Sequence, residues 1–98
     1  MMNHDQYLLS KLAEECFEAG QRAMKAQQFG FDEVQPGQPL NNLERLADEM
    51  HDLIATWLKL THDVDGDVER FPTTEKQLAR EEKMAKFVKL SRRLGMVA

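Results

Sequence analysis

The sequence is poor in the residues that cross-link or interrupt a chain, with one cysteine, three prolines and five glycines among 98 residues. A single cysteine excludes an internal disulfide and a cysteine-rich metal site. So few prolines and glycines exclude a low-complexity chain. No apolar run approaches the ~20 residues of a membrane-spanning helix, and the first residues lack the basic and apolar regions of a signal peptide. We therefore expect one small domain over residues 1–98, cytoplasmic and without membrane contact.

Charge is distributed unevenly along the chain, although the net charge is only −4. Residues 1–72 hold fourteen acidic side chains against six Lys or Arg, whereas residues 73–98 hold three against seven. A strongly acidic body disfavours nucleic-acid binding and is suited to a cation. The basic C-terminal run is compatible with an anionic substrate, a partner helix or a solvated face, and the sequence leaves these open. Its members are Lys83, Lys86, Lys89, Arg92 and Arg93.

The first predicted helix begins after Asn3, which forms a capping box with Gln6. It ends near Phe29, because Gly30 follows and can adopt the conformation that closes a helix. Apolar residues recur along it at 3–4–3–4 spacing and predict a buried stripe of Leu9, Leu12, Cys16, Ala19 and Ala23. The single thiol, Cys16, is therefore expected to be buried and inert.

The second predicted helix begins at Asn41, where Glu44 completes another capping box. The loop before it, residues 30–40, contains two prolines that exclude a continuous helix, and the acidic stretch 63–69 ends the helix. Its predicted apolar stripe is Leu43, Leu46, Met50, Leu53, Trp57 and Leu60.

A C-terminal helix is predicted over about residues 74–94, with Thr74 and Gln77 as a third capping box and Gly95 closing it. No segment shows the two-residue alternation of a strand. The predicted fold is all-α, a helical bundle of two long antiparallel helices plus this C-terminal helix. Two stripes and one short helix make a thin core, so we expect oligomerisation, as a homodimer or homotetramer, to complete the bundle.

Two similar eight-residue segments lie 34 positions apart, Lys11-Leu-Ala-Glu-Glu-Cys-Phe-Glu18 and Arg45-Leu-Ala-Asp-Glu-Met-His-Asp52. Each carries two carboxylates three residues apart, Glu15 with Glu18 and Glu49 with Asp52. At about 100° per residue, each pair lies on one helix face and on the same flank of its apolar stripe. Antiparallel packing of the helices would therefore bring the two pairs together at the edge of the core.

Four converging carboxylates are electrostatically unfavourable. Two like charges about 6 Å apart repel by about 3 kcal/mol at an effective dielectric constant of about 20. The group would therefore have raised pKa values or bind a hard cation. Ligation by oxygen alone is suited to Mg²⁺ or Mn²⁺ and disfavours zinc. The same pattern is compatible with two solvated acidic helix faces, and both interpretations stay open.

The order EExxE followed by ExxD resembles the signature of the MazG-like, all-α nucleoside triphosphate pyrophosphohydrolases. Glu14, Glu15 and Glu18 supply the first motif, and Glu49 and Asp52 supply the second. The likeness covers about residues 7–60. The chain also resembles the small phage and bacterial single-domain members of the family in segments 21–25, 29–33, 36–37, 41–42 and 44–46. Thirty residues lie between Glu18 and Glu49, somewhat more than the usual gap in the family.

The resemblance implies an enzyme of nucleotide-pool control. Family members hydrolyse the α–β bond of (deoxy)nucleoside triphosphates with Mg²⁺ and water, releasing the monophosphate and pyrophosphate, and Mn²⁺ may replace Mg²⁺. Carried over by position, the metal ligands would be Glu15, Glu18, Glu49 and Asp52. Glu14, on the polar side of the helix, would have a water-orienting role. The alternative is a non-enzymatic helical protein-interaction module with the same fold.

Three further residues are candidates for contacts with the nucleotide. Arg22 and Lys25 follow the first carboxylate pair on the same helix and could hold phosphate oxygens. An ordinary surface pair between Glu18 and Arg22 is equally compatible with the spacing. Phe29, at the mouth of the loop, could line a base pocket. The sequence leaves open the base and sugar preference and the number of metal ions.

Overall fold

The computed structural model describes residues 1–64, 69–71 and 73–98 and contains three α-helices. These are α1 (His4–Phe29), α2 (Asn42–Asp63) and α3 (Thr74–Arg93). Across the described ranges there is no β-strand, only an isolated bridge between Val34 and Asn41. The all-α prediction is confirmed. None of the helices in these ranges combines the length and apolar character needed to cross a bilayer.

α1 and α2 pack against each other as an antiparallel hairpin. At one end, the His4 Nε2 atom at the start of α1 lies 2.6 Å from a carboxylate oxygen of Asp63 at the end of α2. At the other end, the Asn42 side-chain amide donates to the carbonyl oxygen of Gly30 at 2.9 Å. The beginning of each helix therefore lies beside the end of the other, which confirms the predicted antiparallel pair.

Two of the three predicted capping boxes are present. Asn3 and Asn41 cap α1 and α2, and in each box the side chain three residues on returns the hydrogen bond. The third prediction is wrong by one residue, because the Thr73 hydroxyl, not that of Thr74, accepts from the backbone of Lys76. Neighbouring threonines offer the same capping group, so sequence alone did not separate them.

α3 ends as predicted, with Gly95 at a positive φ of 76°. The backbone N–H of Gly95 donates to Arg92 O, and that of Met96 donates to Ser91 O. This pair of bonds satisfies carbonyls that the end of a helix would leave unpaired, and it requires the left-handed conformation that glycine adopts without strain.

α1 matches its predicted stripe at Leu12 and Ala19 but differs from it by one residue at the other three positions. Its buried residues are Leu8, Ala19 and Ala26, whereas Leu9, Cys16 and Ala23 are exposed. The face against α2 follows positions 8, 12, 15, 19, 22 and 26, and it therefore includes the half-buried side chains of Glu15 and Arg22. A prediction based on apolar residues placed Cys16 on this face in place of Glu15. The expectation of a buried Cys16 is wrong.

α2 follows its predicted stripe more closely, since Leu60 is buried and Leu46, Leu53 and Trp57 are half-buried. Leu43 and Met50, however, are exposed. They belong to a set of large apolar side chains that stay exposed on α1 and α2. We call this the outer apolar row; its members are Leu9, Phe17, Met24, Leu43, Met50 and Ile54. The buried apolar residues of the described ranges are only Leu8, Ala19, Ala26 and Leu60, so the hairpin core is thin.

The chain forms two compact units, Met1–Val68 and Glu69–Ala98. In the second unit, Lys76 in the first turn of α3 pairs with Glu69 at 2.7 Å. α3 has no buried residue, and its apolar side chains are exposed. α2 ends at Asp63, as predicted, but residues 65–68 of the acidic stretch and Pro72 lie outside the described residues.

A cluster around Asp63 generates a stability prediction. Its carboxylate lies 2.6 Å from His4 Nε2, 2.9 Å from His62 Nδ1 and 3.1 Å from Lys59 Nζ. Hydrogen bonds from His62, His4 and Lys59 hold the pKa of Asp63 well below its ordinary value. A lowered pKa stabilises the fold above the unfolded-state value of about 4, and this contribution is lost as pH falls through the folded-state value.

We therefore expect Asp63→Asn to lower the thermal unfolding midpoint by a few degrees near pH 6. The difference from the wild type should shrink progressively below pH 4. Thermal melts followed by circular dichroism across this range measure both effects. Asp32→Asn, in the exposed loop, is the matched control and should leave the midpoint unchanged. An equal effect of the two substitutions would contradict a role for the Asp63 cluster.

Candidate functional site

Three of the four signature carboxylates come together at the contact between α1 and α2. Glu15 and Glu18 lie one turn apart on α1, and Glu49 faces them from α2. One carboxylate oxygen from each lies within 4.8 Å of the others, and all three residues are half-buried. Antiparallel packing thus produces the convergence that the repeated segments predict for these three residues.

Asp52 and Glu14 are placed differently. Asp52, one turn beyond Glu49, is exposed and is not one of the three residues whose oxygens converge. Its charge nevertheless raises the pKa of both Glu15 and Glu49, so it lies within electrostatic reach. Glu14 is exposed and accepts a hydrogen bond from Lys11 Nζ at 3.0 Å. Its predicted water-orienting role and the metal-ligand role of Asp52 stay predictions.

The cluster is electrostatically frustrated. Burial raises the pKa of the Glu15 carboxyl, and the charges of Glu18 and Asp52 raise it further. Burial and the charges of Glu18 and Asp52 also raise the pKa of Glu49, although the Arg22 charge opposes this shift. One oxygen of Glu15 and one of Glu49, both Oε2, are fully covered and have no hydrogen-bond partner. Such unsatisfied buried acceptors are costly in a folded protein.

Arg22 lies on the same contact face, one turn after Glu18, and is half-buried. Its Nη1 atom is covered and has no hydrogen-bond partner. None of the ion pairs found among the described residues involves Arg22, so the surface pair with Glu18 that the spacing allowed is not formed. The face therefore holds unpaired groups of both signs.

Lys25 and Phe29, the other predicted nucleotide contacts, lie together beside the loop. The Lys25 ammonium is 5.6 Å from the centre of the Phe29 ring, within the range of a cation–π contact. Both line a cavity of about 250 Å³, with Glu33, Gln35, Pro36 and Asn42. Lys25 also lines a second cavity together with Arg22, and of these two residues only Arg22 borders a third cavity next to Glu49.

Two residues that position the loop were not predicted. Asn42 is only 3% exposed, and its side-chain amide donates to Gly30 O at 2.9 Å and to Glu33 Oε1 at 3.2 Å. Arg45 Nη1 donates to Gln35 Oε1 at 2.8 Å. A signal for Arg45 was available, since it precedes Glu49 by four residues and therefore shares its helix face. Asn42 carried no such signal, because its partners are set by the loop conformation.

Comparisons with protein-family models, curated proteins and solved structures found no match. Membership of the MazG-like family therefore stays a prediction that rests on the signature residues.

The frustrated carboxylates lead to a prediction about the metal-free protein. When the pKa of a glutamate is higher in the folded state, the folded protein loses stability as the pH rises. The loss begins near the unfolded-state pKa of about 4.3 and continues towards the folded-state pKa. Glu49→Gln removes that charge, so we expect it to raise the unfolding midpoint in EDTA at pH 7. The gain should disappear towards pH 4, where the wild-type carboxyl is itself protonated.

Differential scanning fluorimetry of both proteins across pH measures this effect. Glu14→Gln is the matched control, because it removes an exposed charge from the same segment together with its bond to Lys11. It should not raise the midpoint. A Glu49→Gln protein that is no more stable than the wild type at pH 7 would contradict the conclusion that the carboxylate cluster destabilises the metal-free fold.

Proposed function

We propose that this protein is a Mg²⁺-dependent hydrolase that converts (deoxy)nucleoside triphosphates to the monophosphate and pyrophosphate, with Mn²⁺ able to replace Mg²⁺. One observation carries the proposal: carboxylate oxygens of Glu15, Glu18 and Glu49 lie within 4.8 Å of one another at a helix contact. The EExxE…ExxD signature supports the same assignment. Control of the nucleotide pool is the function that this reaction would serve.

The residues at the site fit a hard divalent cation. The ligands would be oxygens only, and two of them, Glu15 Oε2 and Glu49 Oε2, are covered and unpartnered. Mg²⁺ is suited to a few carboxylates completed by water and substrate phosphates, whereas zinc prefers nitrogen and sulfur. Asp52 would add a fourth carboxylate from the next turn of α2.

A bound Mg²⁺ would lower the pKa of a coordinated water and offset the phosphate charge, so no side-chain nucleophile is needed. The chain's own part is to hold the three carboxylates together and partly out of solvent. Cys16, as an exposed thiol, needs no role in such a reaction. Glu14 would orient water through the lone pairs that its bond to Lys11 leaves free.

We further propose that the hairpin assembles with a second copy as a homodimer, or with three as a homotetramer. The outer apolar row supports this, because these six large apolar side chains of α1 and α2 stay exposed in the single chain. A thin core leaves a small helical domain short of apolar burial, and assembly is the usual remedy.

A non-enzymatic interaction module is the second candidate, and the same outer apolar row favours it. The two functions differ in what the carboxylates do. An interaction module needs neither a divalent cation nor the Glu15, Glu18 and Glu49 side chains, whereas the hydrolase depends on both.

A panel of (d)NTPs with Mg²⁺, with pyrophosphate and orthophosphate detected separately, tests the hydrolase. We expect pyrophosphate release that EDTA abolishes and that Glu18→Gln or Glu49→Gln lowers by about a hundredfold or more, because each removes a proposed ligand. Glu81→Gln, on exposed α3, is the control and should keep full activity. No release from any nucleotide, or release unaffected by Glu49→Gln, would exclude the hydrolase. Orthophosphate in place of pyrophosphate would reject the cleavage position.

Light scattering coupled to size exclusion tests the assembly. We expect the wild type to have at least twice the chain mass of 11.3 kDa. Phe17→Glu should shift it to the monomer, because Phe17 is 75% exposed in the single chain and a buried carboxylate there would be unpaired. Gln28→Glu is the control, because Gln28 is exposed on the same helix, and it should leave the mass of the assembly unchanged. A wild type that is monomeric at every concentration would end this proposal.

A further inference from the structure

A small cavity lies between α1, the loop that follows it and the start of α2. Its volume is about 160 Å³, and its lining includes Arg22, Gln38, Leu40, Arg45, Asp48 and Glu49. At about 30 Å³ for each water, this is room for about five water molecules. Sites that enclose a whole small molecule run from about 300 to 1,000 Å³. The cavity therefore has the size for one compact group rather than for a whole nucleotide.

Two guanidinium groups border this cavity from opposite helices. Arg22 of α1 has a covered Nη1 atom without a hydrogen-bond partner. Arg45 of α2 uses one of its five N–H donors on Gln35 at 2.8 Å, a bond that ties it to the loop. Planar guanidinium donors match the oxygens of a phosphoryl group, and such bonds are stronger than neutral ones.

Neither arginine forms an ion pair with the acids beside it. Asp48 and Glu49 line the same cavity, yet no ion pair found among the described residues includes Arg22 or Arg45. Two positive and two negative side chains give no net attraction for a bare anion. An anion bound together with a divalent cation is attracted, because the cation balances the negative charge of Glu49. The guanidinium groups are then free to donate hydrogen bonds to the anion.

We propose that this cavity is a phosphoryl-binding site, in which Arg22 and Arg45 donate to the oxygens of a polyphosphate carried by a divalent cation. The inference rests on the proposed function, because the cation is the one assigned to Glu15, Glu18 and Glu49. It gives Arg45 a role that the signature motif does not supply. Lys25 is not among the residues that line this cavity.

Binding of the cation and binding of the anion are coupled in this arrangement. Each neutralises charge that repels the other, so each should increase the affinity for the other by the same factor. The phosphoryl group has two sources in the proposed reaction, the triphosphate chain of the substrate and the released pyrophosphate. Both present the same oxygens, and separate titrations distinguish them.

Isothermal titration calorimetry of the full chain with inorganic pyrophosphate, with and without Mg²⁺, tests the site without relying on turnover. We expect binding that needs Mg²⁺ and that Arg22→Gln and Arg45→Gln each weaken about tenfold, the loss of one charge-assisted hydrogen bond. Arg80→Gln, which removes the same charge from exposed α3, should leave the affinity unchanged. Circular dichroism checks that each variant is folded.

Gln35→Ala separates charge from loop structure, because it breaks the bond to Arg45 and keeps the guanidinium. It should weaken binding far less than Arg45→Gln, and an equal loss would overturn the proposal. Wild-type affinity in both arginine variants, or binding that is as tight without Mg²⁺, would also overturn it. A triphosphate titrated with Ca²⁺, under conditions where no hydrolysis is detected, should show the same arginine dependence if the substrate chain occupies the site.

The result of the pyrophosphate titration can be distinguished from the result of the hydrolase assay. Arginine-dependent pyrophosphate binding with Mg²⁺, in a protein that hydrolyses no nucleotide, would support the phosphoryl site and reject the hydrolase. Hydrolysis with unchanged KM and unchanged pyrophosphate inhibition in both arginine variants would support the hydrolase and reject the phosphoryl site.

Discussion

Repulsion among the carboxylates at the α1–α2 contact is the constraint on which the rest of the hairpin depends. Glu15, Glu18 and Glu49 lie on the face that also holds the two helices together. A monomeric helical hairpin would normally fill such a face with apolar side chains. Here its centre is acidic, and the apolar burial is confined to a few residues, among them Leu8 and Leu60 near the same end. Apolar burial therefore contributes little to the free energy of unfolding at the place where the charges oppose folding.

Polar contacts at the two ends of the hairpin compensate for this weak centre by fixing the register of the helices. At one end Asp63 joins α2 to His4, and at the other Asn42 joins it to Gly30. Slipping one helix by a single turn would move its side chains by about 5.4 Å, which exceeds the 4.8 Å that encloses the three oxygens. The end contacts thus set the geometry of the cluster, although none of them touches it.

Features that follow from local spacing and helical periodicity were mostly predictable from the sequence, whereas the conformation of the loop and the exact contact face of α1 were not. The caps at Asn3 and Asn41 are local, and both are present. The stripe of α1 was correct at Leu12 and Ala19 but wrong by one residue elsewhere, because apolar character favoured Cys16 over Glu15 on the contact face. That preference holds for most helices, and it fails here because the contact face carries the charged residues themselves.

The candidate site shows the same division. Helical periodicity predicted that the carboxylate pairs of the two segments would meet, and three of the four residues do so. Periodicity gave no information on residues 30–41, whose conformation depends on the bonds of Asn42 and Arg45 across the turn. The cavity beside Glu49 is built by that loop. Its two arginines could therefore be assigned to a helix face from sequence but not to a common cavity.

The hairpin has charged groups at its helix contact and large apolar side chains on its exposed surface, and this links the proposed assembly to the proposed chemistry. Its unpaired charges face the partner helix, while Phe17 and the rest of the outer apolar row face outward. Assembly through the outer row would add the apolar burial that the core lacks without neutralising Glu15 or Glu49. Filling the inner face with apolar side chains would strengthen one chain but remove the proposed cation ligands. A fold that keeps charged groups inside and gains its burial outside satisfies both requirements.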